Sequence, residues 1–331
     1  MSVFVGVDVG AKTVALAWRK GGRTRGKLDI QQTPEGHAQA VERIKALEAV
    51  QVVMEATGVY YLDLAVALSK AGIVVSVINP KSFHHFAQLK LAQSKTDPLD
   101  AALLAEYAER MTPAPWTAPD TLRMALRDIG RQINRLTATR TQAKNRLHAL
   151  RSKRDTLALL IEDEVEAVER LDQRIERLSN AAQRLIAEDA VLNSQFQHLL
   201  AAKGVGVASA IALLAELSVL PQHLKAPQVS RYAGLDIRLC QSGSSVNKAS
   251  RLSKAGNAYL RSALYMPALS AVRHDPNAKA FYLSLQRRGK KKIQAVCAVM
   301  RKYLTGLWAC IQLGEPFDSS KLFSKIHLAE A

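Results

Sequence analysis

Four acidic residues in the first hundred stand where carboxylates can do chemistry: Asp8, Glu55, Asp97 and Asp100. Asp8 falls inside the apolar run Val5-Gly6-Val7-Asp8-Val9-Gly10. A carboxylate in a buried-strand pattern is costly unless it is paired, protonated or bound to a cation. Glu55 ends Val52-Val53-Met54 and precedes Ala56-Thr57-Gly58, so it stands where a strand turns into a helix. The carboxyl ends of strands in such sheets are where ligands bind. Asp97 and Asp100, three apart in Thr96-Asp97-Pro98-Leu99-Asp100, share one face at the start of a helix. Each acid also has a plainer role. Asp97 and Asp100 suit a helix N-terminus, Glu55 can cap the following helix, and Asp8 can serve the turn at Gly10. Converging in one sheet, however, four carboxylates repel one another unless hard, oxygen-seeking cations neutralise them. That points to Mg²⁺ or Mn²⁺, and two such ions clamp a phosphodiester for in-line displacement.

A second reactive stretch runs from Leu239 to Asn257, where small hydroxyls alternate with Lys248, Arg251 and Lys254. It reads either as a flexible phosphate-binding loop or as the carrier of a serine nucleophile that attacks phosphorus. Residue chemistry alone does not choose between Ser242, Ser244 and Ser245. Cys240 continues an apolar strand and is expected to be buried.

The elements that must position these groups fall into a multidomain α/β-plus-α arrangement. Residues 1–112 read as an α/β domain. Strands are expected at Val3–Val9, Thr13–Trp18 and around Lys27–Ile30, then at Gln51–Met54 and Ile73–Ile78. Helices are expected over Pro34–Leu47, Tyr61–Lys70 and Pro98–Arg110. Three consecutive strands followed by alternating helices and strands make a mixed sheet covered by helices, of the ribonuclease-H-like kind. The proline-rich residues 113–120 form a linker. Residues 121–195 carry two long heptad patterns, one through Leu122, Leu126, Ile129, Ile133 and Leu136, another through Leu157, Ile161, Val168, Leu171 and Ile175. They predict coiled-coil helices, paired as a hairpin or between subunits. The first is lined by Arg123, Arg127, Arg131, Arg135, Arg140, Lys144, Arg146 and Arg151, and the second by more acids. That arginine face suits either a polyanion or a partner helix. Residues 196–331 form a mainly helical zone. Its Lys203-Gly204-Val205-Gly206 resembles a helix-hairpin-helix turn that offers backbone N–H groups to a phosphate, or a tight turn that binds nothing.

Composition narrows the partner. With 46 Lys and Arg against 29 Asp and Glu, the 331-residue chain carries a formal charge of +17, which suits phosphates whose counterions it displaces. Aromatics are only 5%, so backbone or shape recognition outweighs base stacking. No apolar run approaches the ~20 residues of a membrane span. Cys240, Cys297 and Cys310 lack the spacing of a disulfide framework or a zinc site. A soluble, cytoplasmic protein is expected.

Taken in order, Val7-Asp8, Met54-Glu55-Ala56-Thr57-Gly58, Ser76-Val77-Ile78-Asn79-Pro80, Lys95-Thr96-Asp97 with Asp100, and Ala233-Gly234-Leu235 leading into Ser242-Gly243-Ser244-Ser245 resemble one group. So does Ser253-Lys254-Ala255-Gly256 followed by Leu264-Tyr265-Met266-Pro267-Ala268. The group is the IS-one-ten family of insertion-sequence transposases, related to the Piv/MooV DNA invertases. The resemblance spans nearly the whole chain, though not the arginine-rich coiled coil in residue detail. It implies a RuvC-like domain whose acids match Asp8, Glu55, Asp97 and Asp100 and bind Mg²⁺. It also implies a C-terminal transposase domain whose serine matches Ser242 and forms a covalent phosphoserine link to DNA. Acidic site and serine would come from different subunits of a homo-oligomer, a dimer or, in the synaptic complex, a tetramer. Strand exchange would pass through a junction-like intermediate in the bacterial cytoplasm or nucleoid. The guide would be a structured noncoding bridge RNA that pairs with donor and target DNA.

Three other readings compete. A RuvC-like Holliday-junction resolvase would share the acids without needing the serine. A non-catalytic nucleic-acid scaffold would not need all four acids. An actin- or hexokinase-type phosphotransferase fits Gly6-Val7-Asp8-Val9-Gly10 but requires a second α/β lobe, where this chain offers heptads.

Overall fold

A computed structural model describes residues 2–56, 58, 60–90, 96–118, 120–242 and 246–323, with backbone alone for 239–242 and 246–250. The chain divides into two compact units, Met1–Ala118 and Pro119–Ala331.

The first unit begins with the meander β1 (Val3–Val9), β2 (Thr13–Lys20) and β3 (Arg23–Gln31). It continues as α1 (Pro34–Ala46), β4 (Ala49–Glu55), α2 (Tyr61–Lys70), β5 (Val75–Ile78), α3 (Pro80–Leu89) and α4 (Asp97–Met111). The sheet order is β3-β2-β1-β4-β5, antiparallel through the meander and parallel from β1 to β4 to β5. This mixed, helix-covered sheet is the arrangement anticipated from the strand pattern. Val5, Val7, Val52 and Met54 face α1 and α2, whose Ala40, Ile44, Leu64 and Leu68 close the core on that side. The opposite face carries Phe4 and Val53, covered by Phe83 of α3 and by Leu104 and Ala108 of α4. Both faces are therefore buried, which is why the central strands read as continuous apolar runs.

Helix α3 has no counterpart in the predicted elements. Its start is nevertheless well signalled: Asn79 accepts from the Lys81 N–H, Pro80 takes the first position, and Phe83 and Phe86 face inward. The proline-rich stretch is a strap over the sheet more than a free spacer. The Trp116 N–H donates to the Val75 carbonyl, and the Pro113 carbonyl accepts from Gln51 and Ser76.

The second unit is helical. Helices α5 (Thr121–Ser152) and α6 (Ala158–Glu188) lead into α7 (Ala190–Leu200), α8 (Val207–Leu217) and α9 (Ala226–Tyr232). The hairpin β6 (Ile237–Ser242) and β7 (Val246–Leu252) follows, then α10 (Ala258–His274), α11 (Pro276–Arg287), α12 (Lys292–Leu313) and α13 (Ser319–Leu322). The two long helices pair antiparallel within the chain, since Arg140 meets Asp172 while Arg146 meets Glu164. Their inner ends do not stand apart from the C-terminal helices. Leu126, Ile133, Ala182 and Ile186 share one core with Leu214, Leu264, Tyr303 and Trp308.

Candidate active site

Two of the four candidate acids, Asp8 and Glu55, lie at the carboxyl ends of neighbouring inner strands of the first unit's sheet. In the register of β1 with β4, Val7 pairs with Met54, so Asp8 and Glu55 follow side by side at the carboxyl ends of neighbouring parallel strands. Successive strand residues alternate faces. Val7 and Met54 face α1 and α2, so Asp8 and Glu55 belong to the face that α4 covers. Helix α4 can lie close there because the residues beneath it are small. A Cβ on Gly6 would sit 2.1 Å from the Ala101 carbonyl oxygen, and Ala15 and Ala17 of β2 pack against Ala101. Asp97 and Asp100 occupy the first turn of this helix.

That placement is the helix N-terminal role the sequence also allows, although Asp97 is not itself the cap. Thr96 is the N-cap residue, its side chain makes no capping bond, and Asp97 is already helical. A negative first turn still suits the helix dipole. Asp97 is exposed, whereas Asp8, Glu55 and Asp100 are partly exposed. The far half of α4 is held by ion pairs. Buried Glu106 takes Lys90 at 2.9 Å and Arg110 at 2.7 Å, with Arg19 of β2 at 3.6 Å. Burial alone would raise the pKa of Glu106, but these cations outweigh it and hold it below the ordinary carboxylate value.

All four donors are carboxylates, with no histidine or thiolate among them, and that donor chemistry suits Mg²⁺ or Mn²⁺. Among the described residues, no three His, Cys, Asp or Glu groups are close enough to hold a metal ion.

Ser242 is the last residue of β6 and pairs with Val246 of β7. The Gly/Ser stretch expected as a flexible loop is thus largely a β-hairpin, and Gly243, Ser244 and Ser245 lie outside the described residues. The expected burial of Cys240 also falls outside the described side chains. The base of the hairpin is pinned. Ser253 Oγ donates to Asp236 at 2.5 Å, and the Lys254 N–H donates to the Gly234 carbonyl at 3.1 Å. Next to it, Asn257 caps α10 by accepting from the Leu260 N–H, and its amide donates to Glu216 at 2.5 Å. Glu216, only 1% exposed, takes both arms of the Arg131 guanidinium at 2.6 and 3.0 Å. These hydrogen bonds raise the Arg131 pKa above its ordinary value.

These ion pairs divide the arginine face, part of it meeting a partner helix as one of the two readings expects. Arg131 is committed to Glu216, Arg140 to Asp172, Arg146 to Glu164, and Arg123 to Asp120. Several of the helix's cations therefore hold the fold together. The Lys203–Gly206 turn likewise has a packing reason for glycine: Gly204 has φ +93°, and a Cβ there would lie 2.6 Å from the Pro267 carbonyl oxygen. In the first unit, the residue absent from the sequence-based site is Gly6, and a glycine inside a buried strand is the signal that could have found it.

With this geometry in view, family profiles of transposases match residues 5–152, and residues 196–283 match the profile described as Transposase IS116/IS110/IS902 family. The pilin gene-inverting protein of Moraxella bovis is 30% identical over 269 residues, covering 81% of each chain. Its namesake from Moraxella lacunata aligns equally, at 30% over 269 residues and 81% of each chain. Among solved structures, Thermus thermophilus RuvC in complex with a Holliday junction substrate aligns at 16% identity and a TM-score of 0.28, covering 35% of this chain and 100% of that one. The chain belongs to the IS116/IS110/IS902 family of transposases and is an enzyme of DNA strand cleavage and rejoining. Among the described residues, no helix is long and apolar enough to cross a membrane.

Proposed function

We propose that the chain is a site-specific recombinase in which Asp8, Glu55, Asp97 and Asp100 hold Mg²⁺ or Mn²⁺ while Ser242 is the nucleophile. The reading is supported by Asp8 and Glu55 following side by side at the carboxyl ends of β1 and β4, on the face that α4 covers, where Gly6 lets that helix lie close. Bound there, divalent cations would neutralise charge on the scissile phosphate and its leaving oxygen. The chain's own contribution would be to bring four oxygen donors together around the carboxyl ends of β1 and β4 and to present Ser242 at the end of β6. In the reaction, Ser242 Oγ bonds to phosphorus and the bond from phosphorus to one sugar oxygen breaks. That oxygen leaves as a hydroxyl, taking up through water the proton that the serine gives up. Reversal by a hydroxyl from another strand restores the serine and rejoins the DNA.

Matching acids and serine are drawn from different subunits of a homo-oligomer, and a structured noncoding RNA pairs with donor and target DNA. Residues 1–112, 113–120, 121–195 and 196–331 then act as RuvC-like domain, linker, coiled coil and transposase domain. The net charge of +17 supports a chain that holds folded RNA and duplex DNA together.

The deciding experiment traps the reaction and maps the protein–DNA adduct. Attachment at Ser242 is expected, and Ser242→Ala should bind DNA yet form neither adduct nor recombinant. Attachment at Ser244, Ser245 or Cys240 refutes the assignment, and no attachment at all favours a water-using resolvase. Recombination by the purified protein should also require Mg²⁺ or Mn²⁺, and RNA transcribed from the DNA that flanks its gene.

A further inference from the structure

The second unit contains a cleft of about 680 Å³ between the base of the β6–β7 hairpin, α11 and the first turns of α12. Its apolar lining includes Ile237, Phe281, Leu285 and Ile293, and its cations are Arg251, Lys254, Lys290, Arg301 and Lys302. No acidic side chain lines it among the described residues. Ile237 and Ile293 stay 56% and 54% exposed, so this apolar surface is not consumed by the fold. The Lys302 ammonium lies 5.9 Å from the centre of the Phe281 ring, which places charge and ring at one wall.

Two further features favour an anion with an apolar body. Lys254 has φ +52°, a left-handed conformation that an L side chain adopts only under constraint. The constraint is visible. The Lys254 N–H is tied to Gly234, and two residues later a Cβ on Gly256 would lie 2.2 Å from the Tyr232 carbonyl oxygen. In addition, α12 begins at the cleft, so the positive dipole end of a 22-residue helix adds to the cations.

We propose that this cleft holds an unpaired nucleotide of a DNA strand, its base against Phe281, Leu285 and Ile293 and its flanking phosphates on the surrounding cations. A duplex offers phosphates but keeps its base faces stacked, which would leave the apolar wall wet. A neutral apolar ligand would leave five cations without counter-charge. An extruded base satisfies both halves, and strand exchange leaves bases transiently unpaired. The inference rests on DNA handling by this family but not on Ser242 as nucleophile.

Cys297 lines the cleft and reports on it directly. In full-length protein carrying Cys240→Ser and Cys310→Ser, a single-stranded oligodeoxynucleotide should slow maleimide labelling of Cys297 by about tenfold, as expected for a stacked base that shields its pocket. Duplex of the same sequence should leave the labelling rate unchanged. Lys254→Gln with Arg301→Gln should weaken single-strand binding by about tenfold while sparing duplex binding, because two fewer phosphates are neutralised. Equal protection by duplex, stronger protection by RNA of the same sequence, or no protection would each overturn the proposal. Failure of DNA handling itself would look different, because then neither single strand nor duplex would bind. Labelling also reads occupancy without any substitution in the cleft wall, so an unstable Lys254/Arg301 variant would not blunt the test.

Discussion

Two carboxylate environments in this chain look alike in sequence and behave differently in structure. In the second unit, Glu216 sits in the apolar run Ile211–Leu217 and is almost fully buried, with Arg131 and Asn257 bonded to its oxygens. In the first, Asp8 and Glu55 also sit in apolar runs but end up partly exposed, at the carboxyl ends of β1 and β4 on the face that α4 covers. A buried carboxylate whose donors come from its own chain is a structural tie between α5, α8 and α10. Carboxylates at neighbouring strand ends that stay partly exposed can meet cations and substrate from outside, as the proposed site requires. The lesson is that an acid in an apolar run signals an arrangement, and the exposure of that arrangement separates fold from chemistry.

Substitution should pull the two environments apart, most sharply in activity. Asp8→Ala or Glu55→Ala should abolish recombination while moving the Tm little, since removing one member of a repulsive set relieves strain. Retained recombination in an Asp97→Ala and Asp100→Ala double variant would return that pair to a purely structural role. Glu216→Ala should do the opposite to stability. It strands the guanidinium of Arg131 and should lower unfolding free energy by about 3–5 kcal/mol in urea titration. A small loss there would mean that water or a shifted side chain replaces the carboxylate, and the contrast with the strand-end acids would weaken.

Gly6→Ala probes the support beneath the acids. Its methyl group would collide with the backbone of α4 at Ala101 and Ala105, so the helix must move. Overpacking of this kind costs about 1–3 kcal/mol. Recombination should fall further than that stability loss accounts for, because displacing α4 carries Asp97 and Asp100 away from Asp8 and Glu55. A variant that is destabilised yet fully active when folded would separate the two strand acids from the helix pair.

Much of this contrast is legible in the residues alone, for identifiable reasons. Strands β1, β4 and β5 announce themselves as short β-branched runs, and α1, α2 and α4 by helical spacing. Helix α3 escapes detection because its apolar face is only Phe83 and Phe86 amid His84, His85 and Gln88, too brief for periodicity to register. Its Asn79-Pro80 start is the better signal. The hairpin is only half legible: Cys240 reads as continuing an apolar strand, whereas β7 carries Asn247, Lys248, Ser250 and Arg251 and reads as loop, because pairing across a hairpin is set by partner and turn more than by composition. The arginines of α5 show the deeper limit. Charge spacing places them on a helix, but Arg131 finds Glu216 eighty-five positions away, a pairing that exists only once α8 packs.

The smallest predicted effect follows from sorting those arginines by what they already touch. Arg135 donates to the Tyr259 hydroxyl at 3.1 Å and lies over its ring, and neither it nor Arg151 is paired with a carboxylate among the described residues. Both are exposed. If the coiled coil contacts nucleic acid, these are the side chains free to do so, whereas Arg131 and Arg140 serve the fold. Arg135→Gln with Arg151→Gln should leave the Tm unchanged and reduce the slope of log affinity against log salt by up to about 1.8 on duplex DNA, about 0.9 for each phosphate no longer neutralised. The sequence recombined should not change, because binding to phosphates carries no base information. An unaltered slope would assign the exposed cations of α5 to solvation and locate the nucleic-acid surface elsewhere, in the basic turn around Lys290 and the cleft beside it.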